Sequence, residues 1–193
     1  MNQGIKGIAL FLTGWMIALV TNYLGGLDLG LWLPVVVTGI EVVAMAMMLV
    51  GIRGFHERHK YFNAAIPVTV FLLMVALAKA CVLLISMSHI ADWMAVFAMA
   101  LVLADDILFM MLTGLMLLGF VALYKDAGEE KAADRLRYNW VLFLTFAILY
   151  VAIQITSVLL VNEPLSALTY AVPALGLPML IAGGTAVWRL ASN

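Results

Sequence analysis

Apolar runs of roughly helix-spanning length, parted by short polar clusters, repeat along the chain from end to end. They fall at about 5–25, 31–52, 63–87, 103–124, 140–161 and 166–188, the fourth starting alternatively nearer 93. A helix crossing about 30 Å of hydrocarbon needs roughly 20 residues, and each run reaches that length. The pattern predicts an all-α, polytopic membrane protein: one domain over 1–193, built as a bundle of six transmembrane helices. Lys6 followed by "GIALFLTGWMIALV" has the charged and apolar parts of a secretory signal. The run continues to Leu24 with no convincing small-x-small site after it, so it reads as a retained first span.

Composition sharpens this. Of the 193 residues 66% are apolar and 11% charged, with a mean hydropathy of +1.12. Soluble domains sit nearer 45–50% apolar and about 25% charged, and a fold of this size lacks the interior to hide the excess. The lipid bilayer is the expected solvent. A net charge of −1 leaves no basic footprint for nucleic acid. The lone cysteine, Cys81, excludes an intramolecular disulfide and a cysteine-based zinc site.

Charge placement predicts direction. Lys6 precedes the first run; Arg53, Arg58 and Lys60 follow the second; Lys125, Lys131, Arg135 and Arg137 follow the fourth; Arg189 ends the sixth. The opposite connections hold Asp28, His89, Asp92 and Glu163, with no Lys or Arg. Basic residues favour the cytoplasmic side, so both N- and C-termini are expected there, in a multi-pass protein of the plasma or inner membrane. The loops are too short for an attached soluble domain. The longest, Tyr124 to Trp140, reads as helical extensions around Gly128. "LFLT" recurs at 10–13 and 142–145, but the spans that follow do not match, so a duplicated architecture has weak support.

Four ionisable residues lie inside or beside the runs: Glu41, Lys79, Asp105 and Asp106. A charge at depth costs at least about 2.5–3.5 kcal/mol on insertion scales, which pairing, protonation or a wet cavity must offset. The economical arrangement sets Glu41 against Lys79 across the second and third spans, with an aspartate joining them. If the fourth span starts near Leu103, the aspartates mark its outer end, suited to a helix N-terminus, and 90–102 becomes an interfacial segment. If it starts near Trp93, they are buried and must be neutralised. The boundary reading is the expectation taken here. Neighbours on a helix point about 100° apart, so one aspartate is expected to face the bundle. Asn22 and Gln154 add to a polar bias toward the outer half, and a cavity opening outward would collect all six residues. Either amide also has a plain use, bonding to a neighbouring helix for about 0.6 kcal/mol.

Other signals are weaker. His56, Glu57 and His59 have metal-like spacing but sit in a basic loop, where a solvated connector is the simpler account. Haem would need axial ligands within helices, and no metal or cofactor is expected. Thirteen methionines fit flexible apolar packing better than soft-metal transport. Pro173, Gly176, Pro178, Gly183 and Gly184 predict a kinked or broken sixth span. Gly14 and Ala18 have the small-xxx-small spacing of a close helix contact.

The first functional expectation is a carrier of a small solute or ion, or a membrane-embedded solute-binding subunit, using Glu41, Lys79, Asp105, Asp106, Gln154 and Asn22. The second is a non-catalytic subunit or assembly factor, with partner membrane subunits or further copies of the chain. An intramembrane enzyme using an aspartate and His89 ranks third, since neither a Gly-x-Ser-Gly nor a His-Glu-x-x-His motif occurs and no catalytic residue is assigned. A retinal pigment built on Lys79 ranks last, six spans and a third-span lysine arguing against it. The six-span, both-ends-inside plan resembles the substrate-binding S-components of energy-coupling-factor vitamin transporters. That likeness is of plan: their Ala-x-x-x-Ala surface is only approximated by Ala9/Thr13 and Gly14/Ala18, so membership is not assigned.

Overall fold

The computed structural model describes residues 3–25, 33–86, 92–160, 176–178, 180–185 and 187–189. Its helices are α1 (Gln3–Gly25), α2 (Leu33–Arg53), α3 (Lys60–Ser86), α4 (Asp92–Asp126) and α5 (Glu130–Leu160), with a 3-10 turn (His56–Arg58) between α2 and α3. No strand occurs among the described residues. All five helices are long and apolar enough to cross a membrane, as a multi-pass integral membrane protein requires. Residues 176–178, 180–185 and 187–189 of the sixth expected span are helical, while 166–175, with Pro173, lie outside the described residues.

The fourth span departs from expectation. Residues 92–126 form one unbroken helix of 35 residues, about 52 Å long. The stretch 93–104 contains neither Gly nor Pro and is rich in Ala, Leu and Met, all strong helix formers. Nothing stops a helix there, so Asp105 is an interior residue and not an end marker. At its other end α4 is stopped by Gly128, at φ +78°. Glu129 N–H donates to Tyr124 O (3.0 Å) and Gly128 N–H to Lys125 O (2.9 Å), the paired bonds of a left-handed glycine cap. The helical extensions expected around Gly128 are present on both sides of it.

Heptad-like spacing lays down the core. Ile8, Phe11, Trp15 and Ala18 on α1, Glu41, Ala44, Met48 and Ile52 on α2, and Phe62, Ala65, Thr69, Leu72 and Ala76 on α3 are all buried. Glycines let α1 and α2 touch backbone to backbone. A Cβ on Gly7 would stand 2.6 Å from Gly51 O, one on Gly51 2.6 Å from Gly7 O, and one on Gly14 2.6 Å from Ala44 O. The close contact expected at Gly14 is real and extends a full two turns further, to Gly7.

Two contacts fix how the helices run. Phe62 at the start of α3 packs on Phe120 near the end of α4, ring centroids 5.5 Å apart, so α3 and α4 are antiparallel. Gly4 at the start of α1 lies against Arg58 in the α2–α3 turn. The basic clusters around Lys6, Arg53–Lys60 and Lys125–Arg137 therefore share one end of the bundle. The described stretch 180–185 meets α1 at Gly184, against Leu12, and α4 at Gly183, against Phe120.

A charged triad between three helices

The core stripe of α3 runs Ala65, Thr69, Leu72, Ala76, and its next position is Lys79. The same register on α2 brings Glu41 inward, 4% exposed, and on α4 it brings Asp105 inward, also 4% exposed. Lys79 Nζ donates to Glu41 Oε1 at 2.6 Å and to Asp105 Oδ2 at 2.8 Å. A lysine on a four-carbon stem suits this place, because a compact ammonium can donate to carboxylates from two directions. Three helices each contribute one charge. The expected Glu41–Lys79 pair is present, and Asp105 joins it.

Asp106 is the departure. Instead of one aspartate facing the bundle and the other idle, both are engaged on different sides of α4. Asp105 shares its face with Phe109, Leu112 and Met116, which pack against α1, α2 and α3. Asp106 leads the face of Met110, Leu117 and Val121, which packs on Phe143, Ala147 and Tyr150 of α5. There Tyr150 Oη donates to Asp106 Oδ2 at 2.6 Å. The angle of about 100° between neighbours thus feeds two interhelical seams.

Tyr150 is the site residue that sequence reasoning missed. A signal was available: Asp106 and Tyr150 stand 22 residues on either side of Gly128, so a helical hairpin turning there sets them level. Tyr150 itself is 1% exposed, and a buried phenol needs a polar partner.

Beneath the triad the packing becomes apolar with one polar tie. The indole N–H of Trp15 donates to Thr113 Oγ1 at 3.3 Å, and Thr113 donates to Phe109 O at 2.9 Å. The Trp15 and Phe109 rings stack with centroids 5.2 Å apart. This layer closes the charged site on one side. Asn22 and Gln154 belong to α1 and α5, but their side chains lie outside the described residues. His56 and His59 sit at the α2–α3 turn, where His56 Nδ1 bonds Arg53 O (2.8 Å) and the His59 ring lies 4.9 Å from that of Tyr61.

The electrostatics follow from counting. Three carboxylates and one ammonium give this cluster a formal charge of −2 when all are ionised. Asp105 Oδ1 is buried with no hydrogen-bond partner. A buried acceptor without a donor costs about 1–3 kcal/mol, more when charged. The arrangement places excess negative charge around the ammonium of Lys79 and ties α2, α3 and α4 together through it. No protein-family model, curated protein or solved structure matches the chain, so its chemistry is argued from these residues alone.

Proposed function

We propose that the protein is an integral membrane carrier of a small solute or ion, or the membrane-embedded solute-binding subunit of one, working at Glu41, Lys79, Asp105 and Asp106. The observation that carries this reading is the single ammonium of Lys79 held between buried carboxylates of two other helices. Intramembrane charges are expensive and concentrate at transport pathways. An ion pair whose members sit on separate helices links any change of pairing to helix movement. In the proposed cycle, ligand entry releases Lys79 from one carboxylate, and α2, α3 and α4 shift against one another. The basic end of the bundle faces the cytoplasm, as basic residues predict. The chain then crosses six times with both termini inside, and the charged site opens toward the outer face of a plasma or inner membrane. Asn22 and Gln154 are counted with this site from their sequence positions alone.

The second reading, a non-catalytic subunit or assembly factor, draws on a different surface. An apolar groove of 450 Å³ runs between α4 and α5, lined by Met110, Met111, Leu118, Trp140, Leu144 and Ile148 among others. A partner helix would fit that groove as well as lipid does. Native mass spectrometry after gentle extraction separates the readings. A small-molecule mass on the wild type, lost from Lys79→Met, supports the carrier. A stoichiometric second protein without such a mass supports the subunit.

A further inference from the structure

We infer that the triad binds and exchanges a proton, taken up by the Glu41–Asp105 carboxylate pair; the carrier reading above supplies the setting, and the proton is its coupling ligand. Three features of the site lead there. The first is the charge count: three carboxylates face one ammonium, so full ionisation leaves two negative charges without a counter-charge among the described residues. The second is geometry: Glu41 Oε1 and Asp105 Oδ2 both accept from Lys79 Nζ, at 2.6 and 2.8 Å, so the two carboxylates crowd within a few ångströms of each other. Two carboxylates sharing a site do not both ionise readily. The third is the orphan: Asp105 is 4% exposed and its Oδ1 meets no donor. A proton held by the pair cuts the like-charge repulsion between Glu41 and Asp105.

A metal cation fits less well. Hard cations take several oxygen ligands, typically about six, and the positive Lys79 Nζ already occupies the space between the two carboxylates. A proton needs one lone pair and no coordination shell. Around Asp105, α2 presents Glu41, α3 presents Lys79, and α5 presents Tyr150 to the adjacent Asp106. Among the described side chains of α1 the one ionisable group is Lys6, at the opposite end of the bundle, and 187–189 offers Arg189 at that same end. The step is simple proton transfer: a hydronium ion gives up H⁺ and leaves as water, an O–H bond forms on one carboxylate of the pair, and the cluster changes from −2 to −1. Release to the other side reverses it once the helices have moved.

Infrared difference spectroscopy of the full chain in lipid nanodiscs, titrated in pH with and without added sodium, tests the inference. The expected result is a protonated-carboxyl C=O band that falls as pH rises, shifts on ¹³C-labelling of aspartate or of glutamate, and ignores sodium at fixed pH. It should lose half or more of its intensity in Asp105→Asn and in Glu41→Gln and persist in Asp106→Asn. The pH dependence and the sodium insensitivity of the band are read in the wild type, so they hold even where a variant fails to fold. Absence of the band at every pH, its persistence in both Asp105→Asn and Glu41→Gln, its loss in Asp106→Asn, or its displacement by sodium would each overturn it. Failure of the carrier reading looks different: the band behaves as described, yet no solute or proton moves across proteoliposomes.

Discussion

Removing the ammonium of Lys79 and removing one of its carboxylates are opposite perturbations, although each breaks the same contacts. Lys79→Met deletes the only cation and leaves three carboxylates, a formal −3. Glu41→Gln or Asp105→Asn keeps Lys79 paired and brings the cluster to −1. Breaking a buried pair by deleting one partner costs about 3–5 kcal/mol when a charge is left uncompensated. That penalty should fall on Lys79→Met, with the two carboxamide variants well above it in apparent Tm in detergent. The neutral triple, Glu41→Gln/Lys79→Met/Asp105→Asn, should melt close to the wild type, because neutral replacement of buried ion pairs is often harmless or stabilising. A triple variant as unstable as Lys79→Met would show that the charges are held for structure. Tyr150→Phe removes the Asp106 donor at 2.6 Å, and a hydrogen bond to a charged group is worth about 1.5–3 kcal/mol. The same thermal scan should show that loss, and Tyr150→Phe should spare the Glu41–Lys79–Asp105 contacts. Glu41 and Lys79 were legible as partners because a charge amid apolar residues must be matched by another at similar depth. Tyr150 was not, since a tyrosine in an apolar helix is unremarkable until the hairpin that levels it with Asp106 is known.

At the scale of elements, the α1–α2 pair depends on glycines in the way the triad depends on charge. Without a hydrophobic force between helices in lipid, close backbone approach supplies much of the association. A Cβ on Gly7 would meet two backbone atoms, Gly51 O at 2.6 Å and the Gly54 Cα at 3.1 Å, which no rotamer change relieves. Gly7→Val should therefore cost about 1–3 kcal/mol or more by overpacking. Gly39 is the control: exposed on the same α2, with nothing within 4 Å of a Cβ. Gly39→Ala should gain about 0.5–1 kcal/mol, since glycine weakens a helix interior. Equal melting temperatures for the two variants would remove glycine contact as the basis of this packing. The existence of α1, α2, α3 and α5 was readable from run length, and Gly14 from its spacing. The start of α4 was misread because two aspartates resemble an N-terminal marker, and local charge says nothing of a lysine on another helix that compensates it.

For the whole molecule, the distribution of basic residues makes the most decisive prediction. Lys6, the Arg53–Lys60 turn and the α4–α5 connection share one end of the bundle, as Gly4 against Arg58 and Phe62 against Phe120 require. This co-location was implied by the sequence only through the assumption of alternating spans; the packing reaches it independently. Crossing the bilayer the other way would carry these clusters outward, against a bias that dominates when loops are short. Single cysteines at Glu57 and Gly128, in a Cys81→Ser background, should therefore both resist a membrane-impermeant maleimide applied to intact cells and both react in inverted vesicles. Both positions lie in polar turns, and a Cβ on Gly128 would meet nothing within 4 Å, although its φ of +78° adds modest strain there. Labelling of both in intact cells would invert the protein and turn the charged site toward the cytoplasm, without disturbing the triad. Labelling of one alone would break the antiparallel arrangement of α3 and α4 on which the triad rests. The two turns must behave alike, because α3 and α4 deliver Lys79 and Asp105 to one place only if their basic ends emerge on the same side.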